Sequence, residues 1–195
     1  MKNIFCSFFI ICICTSFFTC SETAVQQEIP TVEPYKMKSG KIVDRFENAI
    51  LNMELEDSMR TVMEDEILFV GSSSIRFWSS LLIDMSPLRA INRGFGGSTI
   101  PEVNYYINRI VIPYKPPLIV FYCGENDIAD GYTPQEVFDS FKEFDNVVHT
   151  RLPKTEIVFI SMKPSLNRWE LWDQFSEGNL MIQKRQLIQP IQDQI

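Results

Sequence analysis

Short apolar runs alternate with stretches of helical periodicity, and this alternation constrains the fold more than any other feature of the chain. The apolar runs lie within "EILFVGSSS", "LRAINRGFGG", "PPLIVFYCGEND" and "TEIVFISMKP". Ahead of the first, Ile42, Val43, Phe46, Ile50, Leu51 and Leu55 recur at helical spacing. "SIRFWSSL" opens a second helix, and Pro101 sits where the first turn of a third would begin, running to about Ile112. Val137, Phe138, Phe141, Phe144 and Val148 form an apolar stripe after Pro134, and "RWELWDQFSEGNLMIQKRQ" is helical again. Continuous apolar strands separated by helices imply a parallel sheet covered on both faces, an α/β fold. In such sheets, sites form at the carboxyl ends of the strands, and here three of those ends are polar and glycine-rich: "GSSS", "GFGGST" and "GENDIADG".

The 195 residues suffice for one domain with a core, and the net charge of −7 with no Lys/Arg block argues against nucleic acid as a partner. The first residues, "MKNIFCSFFIICICTSFFTC", carry one lysine and an apolar run, the pattern of an export signal. We therefore expect residues 1–20 to be a signal, 21–39 a linker and 40–195 the domain. The domain would be exported, periplasmic or at the cell surface. Cys20 closes the apolar run where a bacterial lipoprotein signal has its lipidated cysteine. Lipidation at Cys20, simple cleavage and an uncleaved anchor all remain open, and any membrane contact is expected through this segment alone. Four of the five cysteines lie in it, so no disulfide framework is expected, and Cys123 reads as a buried thiol.

Attack on an ester carbonyl needs a nucleophile and donors for the oxyanion that develops. A serine at a strand-to-helix turn, a glycine N–H and an asparagine amide on neighbouring strand ends can supply both. "FVGSSSIRFW", "INRGFGGSTI" and "FYCGENDIADG" resemble, in order, the first three motif blocks of the SGNH (GDSL-type) hydrolases, and "ISMKPSLNRWELW" resembles one branch of that family. The resemblance covers residues from about Lys41 to Trp172. It implies a three-layer α/β/α sandwich of flavodoxin-like type, with Ser72 where the family often has aspartate and Ser73 as nucleophile. The oxyanion donors would be the N–H of Ser73, the N–H of Gly97 and the amide of Asn126. It further implies an esterase, lipase or deacetylase acting on small acyl esters of glycans or lipids, with no metal and no cofactor.

The family's base, an Asp-x-x-His after a fifth strand, finds no match past Trp172, and His149 is the only histidine. His149 lies in a helix leading into the fourth strand and reads as a surface residue. The expectation is a hydrolase domain lacking its last strand and helix, with an exposed sheet edge and doubtful activity. The alternatives are a non-catalytic exported protein that binds carbohydrate or acyl ligands, and a non-functional fragment. Plainer readings stand beside these. One of Ser72, Ser73 and Ser74 serves as a helix cap, Gly94, Gly96 and Gly97 could be turn glycines, and Asn126 and Asp127 could form an Asx turn. Phe77, Trp78, Trp169 and Trp172 are expected in the core or a pocket wall. Glu54, Glu56, Asp57, Glu64, Asp65 and Glu66 read as solvated surface.

Overall fold

A computed structural model describes residues 44–61 and 65–192, with side chains as far as Leu187. The proposed signal, the linker, Ile42, Val43 and Glu64 lie outside the described residues. Four parallel strands, β1 (Ile67–Gly71), β2 (Ala90–Gly94), β3 (Leu118–Tyr122) and β4 (Glu156–Phe159), are ordered β2-β1-β3-β4. This is the strand order of a flavodoxin-like doubly wound sheet. Gly71 is in register with Gly94 on one side and Tyr122 on the other, so three strands end level.

The strand residues alternate between two apolar layers. Leu68, Val70, Ile91, Ile119 and Phe121 join the larger core with helices α1 (Glu47–Ser58), α4 (Ile100–Ile110), α6 (Pro134–Arg151) and α7 (Trp172–Gln192). Each large apolar side chain buried there contributes roughly 1.5–3 kcal/mol. On the opposite face, Phe69, Ala90 and Tyr122 pack with Ile75 and Leu81 of two one-turn helices, α2 (Ser73–Arg76) and α3 (Leu81–Asp84). The second covering layer is therefore thin. β4 lies at the sheet edge, where its Val158 and the following Ile160 are exposed.

Helix starts are set by local chemistry. Thr99 with Glu102, and Thr133 with Glu136, form capping boxes at α4 and α6, each followed by proline in the first turn. Ion pairs then fix helix to helix. Arg109 of α4 grips Glu47 and Glu54 of α1 at 2.7–2.8 Å.

Several expectations need correction. "SIRFWSSL" is not one helix. Trp78 Nε1 and Ser80 Oγ both donate to Asp84 Oδ2 at 2.6 Å, and this local bonding breaks the segment into α2 and α3. α7 starts at Trp172 and runs to Gln192, six residues past the end of the segment "RWELWDQFSEGNLMIQKRQ" that the sequence marked as helical. The acids before β1 are not simply solvated. Asp57 pairs with Arg93, which is 4% exposed, and accepts from Tyr114, while Glu66 is held by Arg60 at 2.9 Å. Phe77 and Trp169 are exposed rather than core, whereas Trp78 packs edge-on against Phe69 and Trp172 against the main core.

Candidate active site

The three polar loops meet at the carboxyl edge of the sheet. Phe95 N–H donates to Gly71 O at 2.9 Å, and Ser72 N–H donates to Tyr122 O at 3.0 Å, which ties the end of β1 to both neighbours. Ser72 is buried at the N-cap of α2, Ser73 half-buried as its first residue, and Ser74 exposed. No serine side chain caps the helix, contrary to the plain reading, although Ser72 O accepts from Ile75 and Arg76.

The segment Gly96–Gly97–Ser98 runs between Ser73 and Asn126. Ser73 Cβ lies 3.8 Å from the position a Cβ would take on Gly96. Asn126, on the short helix α5 (Glu125–Ala129) after β3, donates from Nδ2 to Ser98 O at 2.9 Å. Gly97 sits between them at φ +83°, and a Cβ there would meet nothing within 4 Å. Its carbonyl is turned away toward Arg45 Nη2 at 3.1 Å. Among the described residues, neither Ser73 N–H nor Gly97 N–H donates to an acceptor, and the Asn126 amide has a second N–H to offer. The arrangement can thus present three N–H groups to one developing oxyanion.

His149 is not part of this arrangement. It lies in the last turn of α6, with Nδ1 2.9 Å from Asp145 O and 3.0 Å from Asp145 Oδ1, and Arg185 engages the same carboxylate. Burial acts on Asp145 most strongly and would raise its pKa, but the hydrogen bonds from His149 and Arg185 outweigh it and hold the carboxyl below its usual range.

Beneath the loops lies a buried polar layer. Asp127 is fully buried, and its Oδ1 accepts from Ile100 N–H at 3.0 Å, pinning the start of α4 to α5. Among the described residues, its Oδ2 has no hydrogen-bond partner, and neither does Ser98 Oγ. Burial pushes the Asp127 carboxyl up to about 7. Cys123 is a buried thiol as read from the sequence, donating to Ser98 O, and burial raises its pKa.

Two residues that sequence reasoning passed over reach into the site from the segment between β4 and α7. Lys163 Nζ donates to Ser74 Oγ at 3.0 Å and to Tyr122 OH at 2.8 Å. Arg168 Nη2 donates to Asn126 Oδ1 at 3.0 Å, which fixes the amide with its nitrogen toward the Gly97 loop. Asn179 of α7 holds this segment by reciprocal bonds to Met162 N and O. Lys163 and Arg168 lie 41 and 42 residues from Tyr122 and Asn126, and Lys163 lies 89 from Ser74, so the only local signal was the polar run after the fourth strand. A cavity of about 440 Å³ is lined by Glu56, Arg76, Trp78, Leu81 and Phe95 among others, with Ser73, Gly97 and Asn126 outside its lining.

Strand order and loop arrangement define a flavodoxin-like α/β fold of the kind seen in SGNH (GDSL) proteins. No family model matches the chain. Over 108 residues it is 31% identical to platelet-activating factor acetylhydrolase IB subunit alpha2 of Homo sapiens, a match covering 52% of this chain and 45% of that protein. It is 27% identical over 108 residues to subunit alpha1 of Bos taurus, covering 52% of this chain and 44% of that one. The matched region is thus less than half the length of these curated relatives. Among solved structures, it resembles a GDSL-like lipase from Bacteroides thetaiotaomicron (TM-score 0.60, 20% identity, 70% of this chain and 72% of that one). It also resembles an acetylxylan esterase from Geobacillus stearothermophilus (TM-score 0.50, 15% identity, 65% and 75%). The chain therefore has the fold that its three motif blocks led us to expect.

Proposed function

We propose that this chain is an ester hydrolase domain in which Ser73 attacks a small acyl ester and the N–H groups of Ser73, Gly97 and Asn126 receive the oxyanion. The observation that carries this reading is the run of Gly96, Gly97 and Ser98 between Ser73 and Asn126, with the candidate donors free to act. Ser73 Oγ would bond to the carbonyl carbon, the oxygen would gain charge among the three donors, and collapse would expel the alcohol and leave acyl-Ser73. The acetyl group is favoured by the curated relatives' name, and glycans or lipids are the alcohols in view. We also propose that residues 1–20 export the domain, with Cys20 as a lipid attachment point or the end of a cleaved signal.

The hydroxyl must give up a proton, and since His149 is held by Asp145 in α6 that proton passes to solvent water, while the leaving group departs as its anion, which p-nitrophenolate can do. Acylation by an activated ester is therefore the step expected to be measurable, with deacylation slow. The test is a burst of nitrophenol from p-nitrophenyl acetate, with the acetyl group mapped by mass spectrometry. Wild type should acylate at Ser73, Ser73→Ala should not, and Asn126→Ala should acylate roughly 100-fold more slowly. Equal nitrophenol release by wild type and Ser73→Ala would sink the reading. The placement of His149 favours a second reading, a non-catalytic binding protein, which predicts ligand binding with no acyl-Ser73.

A further inference from the structure

We infer that the rim of the Ser73 site is an anion subsite, in which Arg76, Lys163 and Arg168 take a carboxylate or phosphate group carried on the alcohol side of the ester. This rests on the site reading above and adds the substrate's charge class to it. Most arginines of this acidic chain are committed to carboxylates. Arg45 pairs with Glu102, Arg60 with Glu66, Arg93 with Asp57, Arg109 with Glu54 and Arg185 with Asp145. Arg89 faces Asp65 at 3.8 Å. Among the described residues, Arg76, Arg151 and Arg168 have no carboxylate partner. Arg151 lies at the C-terminal end of α6, whereas Arg76 lies beside Ser73 over Gly96 and Arg168 bonds Asn126 on the other side of the Gly97 loop.

Arg76 lays its side chain over Gly96, with Nη1 3.5 Å from the position that a Cβ would take there, the same position Ser73 Cβ approaches at 3.8 Å. Its guanidinium carbon lies 5.6 Å from the centre of the Phe77 ring, and the side chain lines a cavity that Glu56 also lines. Arg168 spends one N–H on the neutral amide of Asn126. Lys163 stands over Ser74 with Glu125 3.8 Å away, and Glu56 shares a cavity with Arg76, so two acids are set against three cations. In a chain of net charge −7, cations left uncompensated around one serine create a local positive field that draws an anion. The planar guanidinium fork matches carboxylate and phosphate oxygens alike.

The test uses three esters that differ only in charge: 3-acetoxybenzoate, 3-acetoxyphenyl phosphate and methyl 3-acetoxybenzoate. Their binding to the full-length Ser73→Ala chain is measured by calorimetry at low and high salt. We expect one or both anions to bind at least about 10-fold tighter than the neutral ester, with the gap shrinking as salt screens the charges. Preference for the phosphate points to a phospholipid-like alcohol, and preference for the carboxylate to an acidic sugar. Arg76→Gln should close most of the gap and Arg76→Lys restore part of it. Arg168→Lys accompanies Arg168→Gln in case loss of the Asn126 contact disturbs the fold. Equal binding of all three esters, no binding of either anion, or a preference that survives removal of both arginines would overturn the inference. Acylation of wild-type Ser73 is read separately. Acylation without charge preference leaves the hydrolase reading standing and removes the anion subsite. Charge-selective binding without acylation does the reverse.

Discussion

Gly71→Ala is expected to abolish the cooperative unfolding transition or lower stability by at least about 4 kcal/mol, since it combines backbone strain with severe overpacking. Gly71 ends β1 at φ +146°, a conformation that side chains rarely adopt. A Cβ built there would fall 1.9 Å from Tyr122 O and 2.7 Å from Tyr122 C, which are backbone atoms of the adjoining strand. Backbone cannot rotate away as a flexible side chain can. Relief would require β1 and β3 to part, and that would break the Ser72 N–H bond to Tyr122 O in the middle of the sheet. Gly97→Ala provides the contrast. It too has positive φ, but its Cβ would meet open space, so the cost should be roughly 1–3 kcal/mol of strain alone. Urea unfolding of the two variants and wild type measures the difference. A Gly71→Ala protein that loses no more than Gly97→Ala would show that the close approach of β1 to β3 is not as described.

The contrast between these two glycines also shows what the sequence could disclose. Gly71 and Gly97 were both legible as special positions, because each follows an apolar run and opens a polar loop. What separates them is the distance to another strand, a tertiary quantity with no local signature. The same division runs through the site. Ser73, Gly97 and Asn126 were readable because each lies at a strand end, and a parallel sheet must bring those ends together. Arg168 and Lys163 were not, since their partners Asn126 and Tyr122 lie across the sheet and no periodicity links them. Asp57 looked like one acid among many before β1. Only the docking of α1 puts it against Arg93 and Tyr114, where burial pushes the Tyr114 hydroxyl up to about 12. Helix starts near Pro101 and Pro134 were legible because a proline in the first turn is a local signal, to which the structure adds a capping box at each. The division of "SIRFWSSL" was not, because it turns on where the Asp84 side chain lies.

Asp127→Asn is expected to stabilise the protein at pH 8 by about 2–4 kcal/mol while leaving it nearly unchanged at pH 4. The native carboxyl is fully buried, with Oδ2 lacking any partner, and burial lifts its pKa from 3.8 to about 7. Below the unfolded value both states hold the proton, and the group imposes no pH dependence. Between about 4 and 7 the unfolded chain releases its proton while the native state keeps it, so stability falls as pH rises. Above 7 the native carboxyl ionises as well and the loss levels off, at roughly 4 kcal/mol for a shift of this size. Asparagine keeps an oxygen for the Ile100 N–H and carries no charge, so it retains the pin between α4 and α5 without that loss. Its new N–H₂ needs an acceptor, and this offsets the gain by about 1 kcal/mol if none is found. Urea titrations of wild type and variant at pH 4, 6 and 8 isolate the effect, because every other carboxylate is common to both proteins. The two stability curves should converge at acid pH and separate as pH rises. Parallel curves would mean that Asp127 is ionised in the native state at neutral pH, and that the layer beneath the Gly97 loop holds a compensated charge.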